Sequence, residues 1–245
     1  MEKHTVSASL TDNTKYMNRA LPVKKSFDII ERTLIIGGQN SAFYFIDGFT
    51  KDEIMLKLMD SFLNISADDM PEDATSFSTS CIPYVEVDIL GDFDSIFKNL
   101  LSGVTCLFID GYEAAIAIDC RTYPSRSIEE PDKDKSLRGS RDGFVETIVF
   151  NTALMRRRIR DPHLIMEMYE AGTSTRTDVA LCYMSDRVDR ELLTTIQNKL
   201  EESKSQDLKM SQQSLAEALF QRKWYNPFPK YKFTERPDTA CACLM

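Results

Sequence analysis

A short segment rich in glycine and arginine carries the residue types best suited to hold a ligand. It precedes a run with helical periodicity that begins at Phe144, and it comprises Arg138, Gly139, Ser140, Arg141, Asp142 and Gly143. The N–H groups of a helix N-terminus attract anions, and arginines would add charge-assisted hydrogen bonds. Equally, the glycines could shape a turn, Ser140 or Asp142 could cap the helix, and the arginines could pair with nearby acids. The sequence leaves both interpretations open.

A second arginine cluster lies at the end of the same predicted helix. Its members are Arg156, Arg157, Arg158 and Arg160. Positive charge at a helix C-terminus offsets the exposed carbonyls, but that effect needs fewer arginines. Guanidinium groups this close repel one another unless carboxylates or phosphates meet them. The cluster therefore predicts either internal ion pairs or a surface for a partner or a lipid headgroup.

Groups that could do catalysis are scarce in this sequence. The two histidines are His4, in the N-terminal region, and His163, beside the proline that ends the predicted helix. The usual general base and metal ligand are thus nearly absent. No G-x-S-x-G elbow, P-loop or G-x-G-x-x-G fingerprint occurs, and the six cysteines lack C-x-x-C spacing. We expect no enzymatic activity, no metal and no cofactor.

Charge and hydropathy exclude further classes of function. The 245 residues include 30 Lys and Arg against 38 Asp and Glu, and the net charge of -8 disfavours nucleic-acid binding. The best candidate for a membrane span, Val104 to Ile109, is far shorter than the roughly 20 apolar residues that a bilayer requires. Residues 1–20 are polar and lack the apolar stretch of a secretory signal. We expect them to be a mobile tail on the cytoplasmic side of a membrane.

Short strands and amphipathic helices alternate through residues 23–122. Two hairpins are predicted, one turning at residues 37–40 between strands at 26–36 and 41–46, the other turning at Asp110-Gly111 between strands at 104–109 and 114–120. Helices are predicted over 51–63, with Thr50 and Glu53 as a capping box, and over 92–101, ended by Gly103. Residues 66–80 lack periodicity and are predicted to be a loop, and residues 82–89 a strand.

A polar segment, residues 123–140, separates this region from a second one. It has two prolines, many charges and almost no apolar residues, which is the composition of an exposed linker. Beyond it, the spacing predicts a helix over 144–159, a hairpin from strands 164–170 and 179–184, and helices near 192–200 and 214–219. The predicted fold class is mixed α/β (α+β), with a flexible tail at 1–22, subdomains at 23–122 and 141–225, and a closing segment at 226–245.

Several of these motifs together resemble the signature of GerA-type spore germination proteins. The matching segments are Arg138–Gly143, Phe144–Glu146, Asn151–Leu154 and Arg156–Ile159, followed by Asn226–Pro229 and Thr234–Asp238, which resemble the family segment that leads into a membrane domain. Lys25–Asp28, Asp47–Phe49 and Arg121–Pro124 look more like the branch of stage V sporulation protein AF than like nutrient-receptor A subunits. The resemblance covers roughly residues 20–245, and it adds Asn151 to the candidate binding residues.

The resemblance implies a two-part α/β region that faces the spore core. Family members continue into several transmembrane helices that this chain does not contain, so we expect a fragment attached to the inner spore membrane through a missing C-terminal part. In nutrient receptors, this region is thought to aid the germinant response and assembly with B and C subunits. The AF branch is linked with other membrane proteins that enhance germination. The expected partners are other spore inner-membrane germination proteins, with a homo-oligomer also open.

Two functional hypotheses follow from these features. The first is an assembly and signalling module whose partners are recognised through charge, with the arginine cluster as its surface. The second is a small-molecule germinant sensor that holds its ligand between the subdomains, near Arg138 to Phe144, since clefts between domains often hold ligands. The sequence identifies neither the partner nor the germinant.

Overall fold

The polypeptide divides into two units. The computed structural model describes residues 4–83, 86–122, 142–204, 215–216, 219 and 231–245. The first unit is Met1–Ser125 with Ala153–Pro162, and the second is Arg126–Thr152 with His163–Met245. Residues 153–162 thus group with the first unit, although the sequence assigned them to the second subdomain. The predicted linker at 123–140 lies outside the described residues, and its role stays a prediction.

A five-stranded antiparallel sheet organises the first unit. Its strands are β1 (Ile29–Ile36), β2 (Gln39–Ile46), β3 (Val87–Leu90), β4 (Thr105–Ile109) and β5 (Ala115–Ile118), in the order β1-β2-β4-β5-β3. Both predicted hairpins, β1–β2 and β4–β5, are confirmed. Gly37 and Gly38 turn the first one with φ angles of 52° and 80°, a conformation that glycine adopts at little cost.

Helices cover both faces of this sheet. They are α1 (Leu10–Ala20), α2 (Asp52–Leu63), α3 (Ala74–Ser80) and α4 (Phe93–Leu101). Leu107 of β4 packs with Phe62 and Phe77 from α2 and α3, while its neighbour Phe108 packs with Met17 and residues of α4 on the other face. Since successive side chains of a strand point to opposite faces, a strand covered on both sides must be apolar throughout. This explains the uninterrupted burial of β4.

The predicted mobile tail was wrong, because residues 10–20 form helix α1. The Ser9 hydroxyl caps the helix by accepting from Asp12 N, and the N–H of Leu10 donates to Asp110 Oδ1 at 2.8 Å. Met17 and Leu21 are buried against the sheet. Two apolar anchors in a polar segment give a weak periodic signal, so the helix is fixed mainly by these tertiary contacts.

Two further predictions in this unit were wrong in part. The predicted loop at 66–80 contains a 3₁₀ turn, Ala67–Asp69, and helix α3, whose first turn is capped by Asp73 accepting from Ser76 N at 2.7 Å. Phe77 anchors this helix, with its ring 5.5 Å from that of Phe62. Helix α2 is confirmed, but Thr50 does not cap it. Thr50 instead forms a β-bridge with Arg121.

The second unit is built around one hairpin. Strands β6 (Leu164–Ala171) and β7 (Thr177–Met184) pair antiparallel, as predicted, and helix α6 (Arg190–Ser203) packs on them through Leu193 against Ile165 and Tyr183. Helix α7 (Pro237–Leu244) was not predicted. The predicted helix at 214–219 lies largely outside the described residues. Within that range the structure describes 215, 216 and 219, and these three are helical.

Helix α5 (Ile148–Arg158) carries residues of both units, with 148–152 in the second and 153–158 in the first. Within the part of the chain that the structure describes, no helix is long and apolar enough to cross a bilayer. The predicted mixed α/β class is confirmed.

Candidate functional site

Helix α5 begins at Ile148, later than the predicted start at Phe144. The side chain of Asn151 accounts for the difference. Its Oδ1 accepts from Val145 N at 2.7 Å, and its Nδ2 donates to Val145 O at 2.6 Å. The second bond pairs the Val145 carbonyl with a side chain instead of with the N–H of residue 149, which would be its partner in a helix that began at Phe144. Asn151 therefore stabilises the segment that leads into the helix.

The glycine- and arginine-rich segment does not abut this helix start. Asp142 is exposed, Gly143 is buried, and Phe144 N donates to Glu235 O at 2.8 Å. Asp142 cannot cap a helix that begins six positions later, so that part of the interpretation was wrong. Arg138, Gly139 and Arg141 lie outside the described residues, and ligand binding there stays a prediction.

Arg156 of the arginine cluster is fully buried in the first unit. Its Nε donates to Asp28 Oδ2 at 2.7 Å and its Nη2 to Asp28 Oδ1 at 3.2 Å. Nη1 donates to the carbonyl of Asp161 at 3.0 Å, and Nη2 lies 3.4 Å from the hydroxyl of Ser26, which itself donates to Asp28. Both charged side chains have exposures of 1% or less. The arginine thus has the paired, multiply hydrogen-bonded setting that a buried charge requires.

The ion pair sits in a partly acidic neighbourhood. Asp47 N donates to the carbonyl of Asp28 at 2.8 Å. Burial raises the pKa of the Asp47 carboxyl, a bond from Gly48 N opposes that rise, and the negative charges of Asp28 and Asp52 add to it. Arg156 is the cation that pairs with Asp28 in this neighbourhood, at 2.7 Å from Nε to Oδ2.

The other three arginines are placed differently. Arg157 and Arg160 are exposed, and Arg158 is half-buried. Ala153, one turn before Arg156, packs with Ile29, Ile46 and Phe49, which seats this end of α5 against the first sheet. The cluster therefore divides into one internal arginine and a charged helix end that reaches solvent.

Sequence reasoning missed Asp28 and Ser26 as partners of Arg156. They are separated from it by 128 and 130 positions. The available signal was a Ser-x-Asp pattern immediately before an apolar strand, which marks polar side chains at the start of a buried element.

Sequence reasoning also missed a cluster in the second unit centred on Glu167. Its Oε1 accepts from the phenol of Tyr183, and its Oε2 accepts from the phenol of Tyr169 and from Gln197 Nε2, each at 2.7 Å. Burial, and then these bonds to the carboxylate, raise the pKa of both phenols. The cluster ties β6, β7 and α6 together and holds the phenols neutral.

Arg121, in one of the segments that carried the family resemblance, also forms an ion pair and hydrogen bonds within the first unit. Its Nε donates to Asp119 Oδ1 at 2.7 Å, its Nη2 to Asp119 Oδ2, and its Nη1 to the Ser102 hydroxyl at 3.2 Å. The guanidinium holds the pKa of Asp119 below its ordinary value. This arrangement fixes the chain where it leaves β5.

A pH-dependent contribution to stability follows from that depressed pKa. The Asp119 ion pair stabilises the fold fully above the unfolded pKa of about 3.9, and its contribution is lost as the pH falls through the lower folded pKa. We expect Arg121→Ala to raise the pKa of Asp119 in an NMR titration of its carboxyl carbon, with Arg19→Ala, at an exposed position of α1, as the control. An unchanged Asp119 pKa in the Arg121 variant would contradict this assignment.

A groove in the first unit is lined by two hairpin turns and by residues between positions 67 and 72. It has a volume of about 410 Å³ and is bordered by Gly37, Gly38, Met70, Glu72, Asp110 and Tyr112 among others. The described candidate residues do not line it. Within the described ranges, no group of three or more His, Cys, Asp or Glu side chains could hold a metal ion.

The sequence as a whole matches the family of Bacillus/Clostridium GerA spore germination proteins over residues 15–245. Stage V sporulation protein AF of Bacillus subtilis is 32% identical over 240 residues, which cover 98% of this chain and 48% of that protein. Spore germination protein KA of the same organism is 28% identical over 244 residues, covering 98% and 44%. The chain thus spans about half the length of these curated relatives.

A solved structure shares the fold. The N-terminal domain of the A subunit of the Bacillus megaterium spore germinant receptor GerK3 superposes with a TM-score of 0.71 at 21% identity, covering 100% of this chain and 90% of that one. At this identity the likeness concerns the fold alone. The family match over nearly the whole sequence decides the relationship, and this chain belongs to the GerA family of spore germination proteins.

Proposed function

We propose that this chain is a non-catalytic assembly and signalling module of a spore inner-membrane germination protein, located on the cytoplasmic (spore core) side of that membrane. Family membership supports a role in germination, and the relatives, about twice as long, leave room for a further region. The observation that carries the proposal is the charged end of helix α5. There, Arg157 and Arg160 are exposed on a chain whose net charge is -8.

The buried arginine makes this charged end a defined surface. The bidentate bond from Arg156 to Asp28 and the bond to the Asp161 carbonyl hold the last turn of α5 against the first unit. Arg157 and Arg160 project from backbone that is already ordered. A partner that binds here does not have to pay the entropy of ordering a flexible segment. Other inner-membrane germination proteins are the partners that we propose.

Charge reversal of the exposed arginines tests this proposal. In the membrane-anchored protein purified from spores, Arg157→Glu with Arg160→Glu is expected to abolish crosslinks to other germination proteins. The melting temperature should be nearly unchanged, since surface substitutions alter stability by only about 0.5 kcal/mol. Arg156 must stay intact, because its replacement removes the partner of a buried carboxylate.

The matched control is Lys15→Glu with Arg19→Glu on helix α1. Both side chains are exposed on the same unit, and the pair changes the net charge by the same amount. If the control loses the same crosslinks, overall charge is responsible and the α5 surface is not. Crosslinks that persist in the Arg157 and Arg160 variant would refute the proposal. Germinant sensing near Arg138 to Phe144 stays the alternative prediction.

A further inference from the structure

Among the residues that the structure describes, no strand pairs with the outer edge of β1. β1 is the first strand of the sheet, with β2 on one side and no described strand on the other. Ile36 pairs with Gln39 across a two-residue turn, so the even-numbered residues of β1 hydrogen-bond to β2. On β2, the odd-numbered residues then bond to β1 and the even-numbered ones face β4. The bond from Asp110 N to the carbonyl of Asn40, an even-numbered residue, agrees with this. The N–H and C=O groups of Glu31, Thr33 and Ile35 therefore face outward.

Side-chain exposure confines this opening to residues 32–35. Arg32 and Thr33 are exposed, and Ile35 has 62% of its surface accessible. Ile29, at the other end of the strand, is closed off. It is buried in a cluster with Ala153, and its N–H donates to Ser26 O at 3.3 Å. Within the described ranges, this stretch thus combines an exposed isoleucine with backbone groups that no strand pairs.

β1 is not short and has neither a bulge nor a proline, so the exposed charge of Arg32 is the edge protection that a partner strand must match. Sheet edges are usually short, bulged, or guarded by proline or by charged side chains. β1 has eight residues in continuous register with β2 and contains no proline. Its acidic residue, Glu31, is turned inward, where it accepts from Tyr44 and Asn18 at 2.8 and 3.1 Å. At the opposite edge, β3 has four residues, and Thr5 and Val6 pair with the residues that follow it.

We propose that the β1 edge binds an extended peptide segment of another protein as an added strand, with an acidic side chain opposite Arg32 and an apolar one beside Ile35. The open backbone groups supply the ladder of hydrogen bonds that strand addition uses. Arg32 makes no ion pair among the described residues. An acidic side chain of the added strand, placed directly opposite Arg32, would therefore form a new cross-strand ion pair with it.

A second copy of β1 fits this edge less well. The residues that share a face with Arg32 are Ile30, Leu34 and Ile36, so no acid of a second β1 would lie across from it. The register centred on residue 32 would place two arginines opposite each other. The charge pattern therefore favours a different, acidic segment.

Short synthetic peptides test the inference with this chain in solution. The probes alternate Thr and Val, with Glu, Gln or Lys at one central position. We expect the Glu peptide to slow amide hydrogen exchange at Thr33 and Ile35, and to bind about fivefold to tenfold more tightly than the Lys peptide. In the Arg32→Glu variant, the order of the Glu and Lys peptides should reverse.

A proline scan of the strand separates edge binding from misfolding. Ile35→Pro removes only an outward N–H, which edge strands tolerate, so the chain should stay folded and lose the Glu peptide. Leu34→Pro removes an N–H bonded to β2 and should disrupt the hairpin. Undiminished binding by a folded Ile35→Pro variant would overturn the inference. So would a dimer in sedimentation that Ile35→Pro dissociates, because the occupant would then be a second copy.

This inference is independent of the arginine surface at the end of α5. The peptide experiment requires neither spores nor membrane partners. Failure here would leave the assembly proposal untouched, and failure of the crosslinking experiment would leave the β1 edge untouched.

Discussion

Arg156→Met is expected to lower the free energy of unfolding by about 3–5 kcal/mol, the loss typical when one partner of a buried ion pair is removed. The substitution would leave the carboxylate of Asp28, which is 1% exposed, without its cation. It would also leave the Asp161 carbonyl without the guanidinium N–H that it now accepts. Urea unfolding followed by circular dichroism measures the loss.

Two variants make this measurement specific. Arg160→Met, at an exposed position four residues further on, should change stability by no more than about 0.5 kcal/mol. The double variant Asp28→Leu with Arg156→Met removes both charges, so it should cost clearly less than the sum of the two single changes. Additive single losses would mean that the two side chains are not coupled, and the ion pair would then not be what holds α5 in place.

Gly103→Ala should lower the free energy of unfolding by about 3 kcal/mol, through backbone strain and overpacking together. Gly103 ends helix α4 with a φ of 101°, which side-chain-bearing residues rarely adopt. A Cβ there would lie 2.6 Å from Cδ2 of Phe49. Phe49 is fully buried and cannot yield, because it packs with Ile29, Ile46 and Ala153.

Gly111 provides the matched control for this prediction. Its φ of 92° is similar, but a Cβ at Gly111 would meet nothing within 4 Å. Gly111→Ala should therefore cost only the conformational strain, about 1 kcal/mol, and thermal melts of the two variants should differ clearly. Equal losses would show that strain alone sets the cost and that the contact with Phe49 contributes nothing.

The predictable parts of the fold were those whose signals are local. Gly37-Gly38 and Asp110-Gly111 mark tight turns between apolar runs, and both hairpins form where those signals lie. Helix α4 is similarly marked, with Asp92 accepting from Ser95 N at 2.9 Å at its start and Gly103 at its end. Turn and cap chemistry depends on residues a few positions apart, so the sequence is sufficient to identify it.

The parts that were predicted wrongly depend on contacts between distant residues or on a local competitor to the helix. Helix α1 is tied through Leu10 to Asp110, far along the chain, and α3 is anchored by a single buried phenylalanine. The late start of α5 results from Asn151 bonding to Val145. Periodicity detects an apolar stripe, but it does not detect a side chain that competes for backbone groups.

The sequence by itself determined the fold class, the three hairpins and the family. Turn residues, apolar spacing and family motifs each involve residues that are close together in the chain, so they can be read without the structure. The sequence also placed both Asp28 and Arg156 in segments that resemble the family, without linking them. Only the tertiary structure decided which of the four arginines is internal and which reach solvent. Burial of a charge depends on whether the folded chain brings an opposite charge to it, and here that charge comes from 128 positions away.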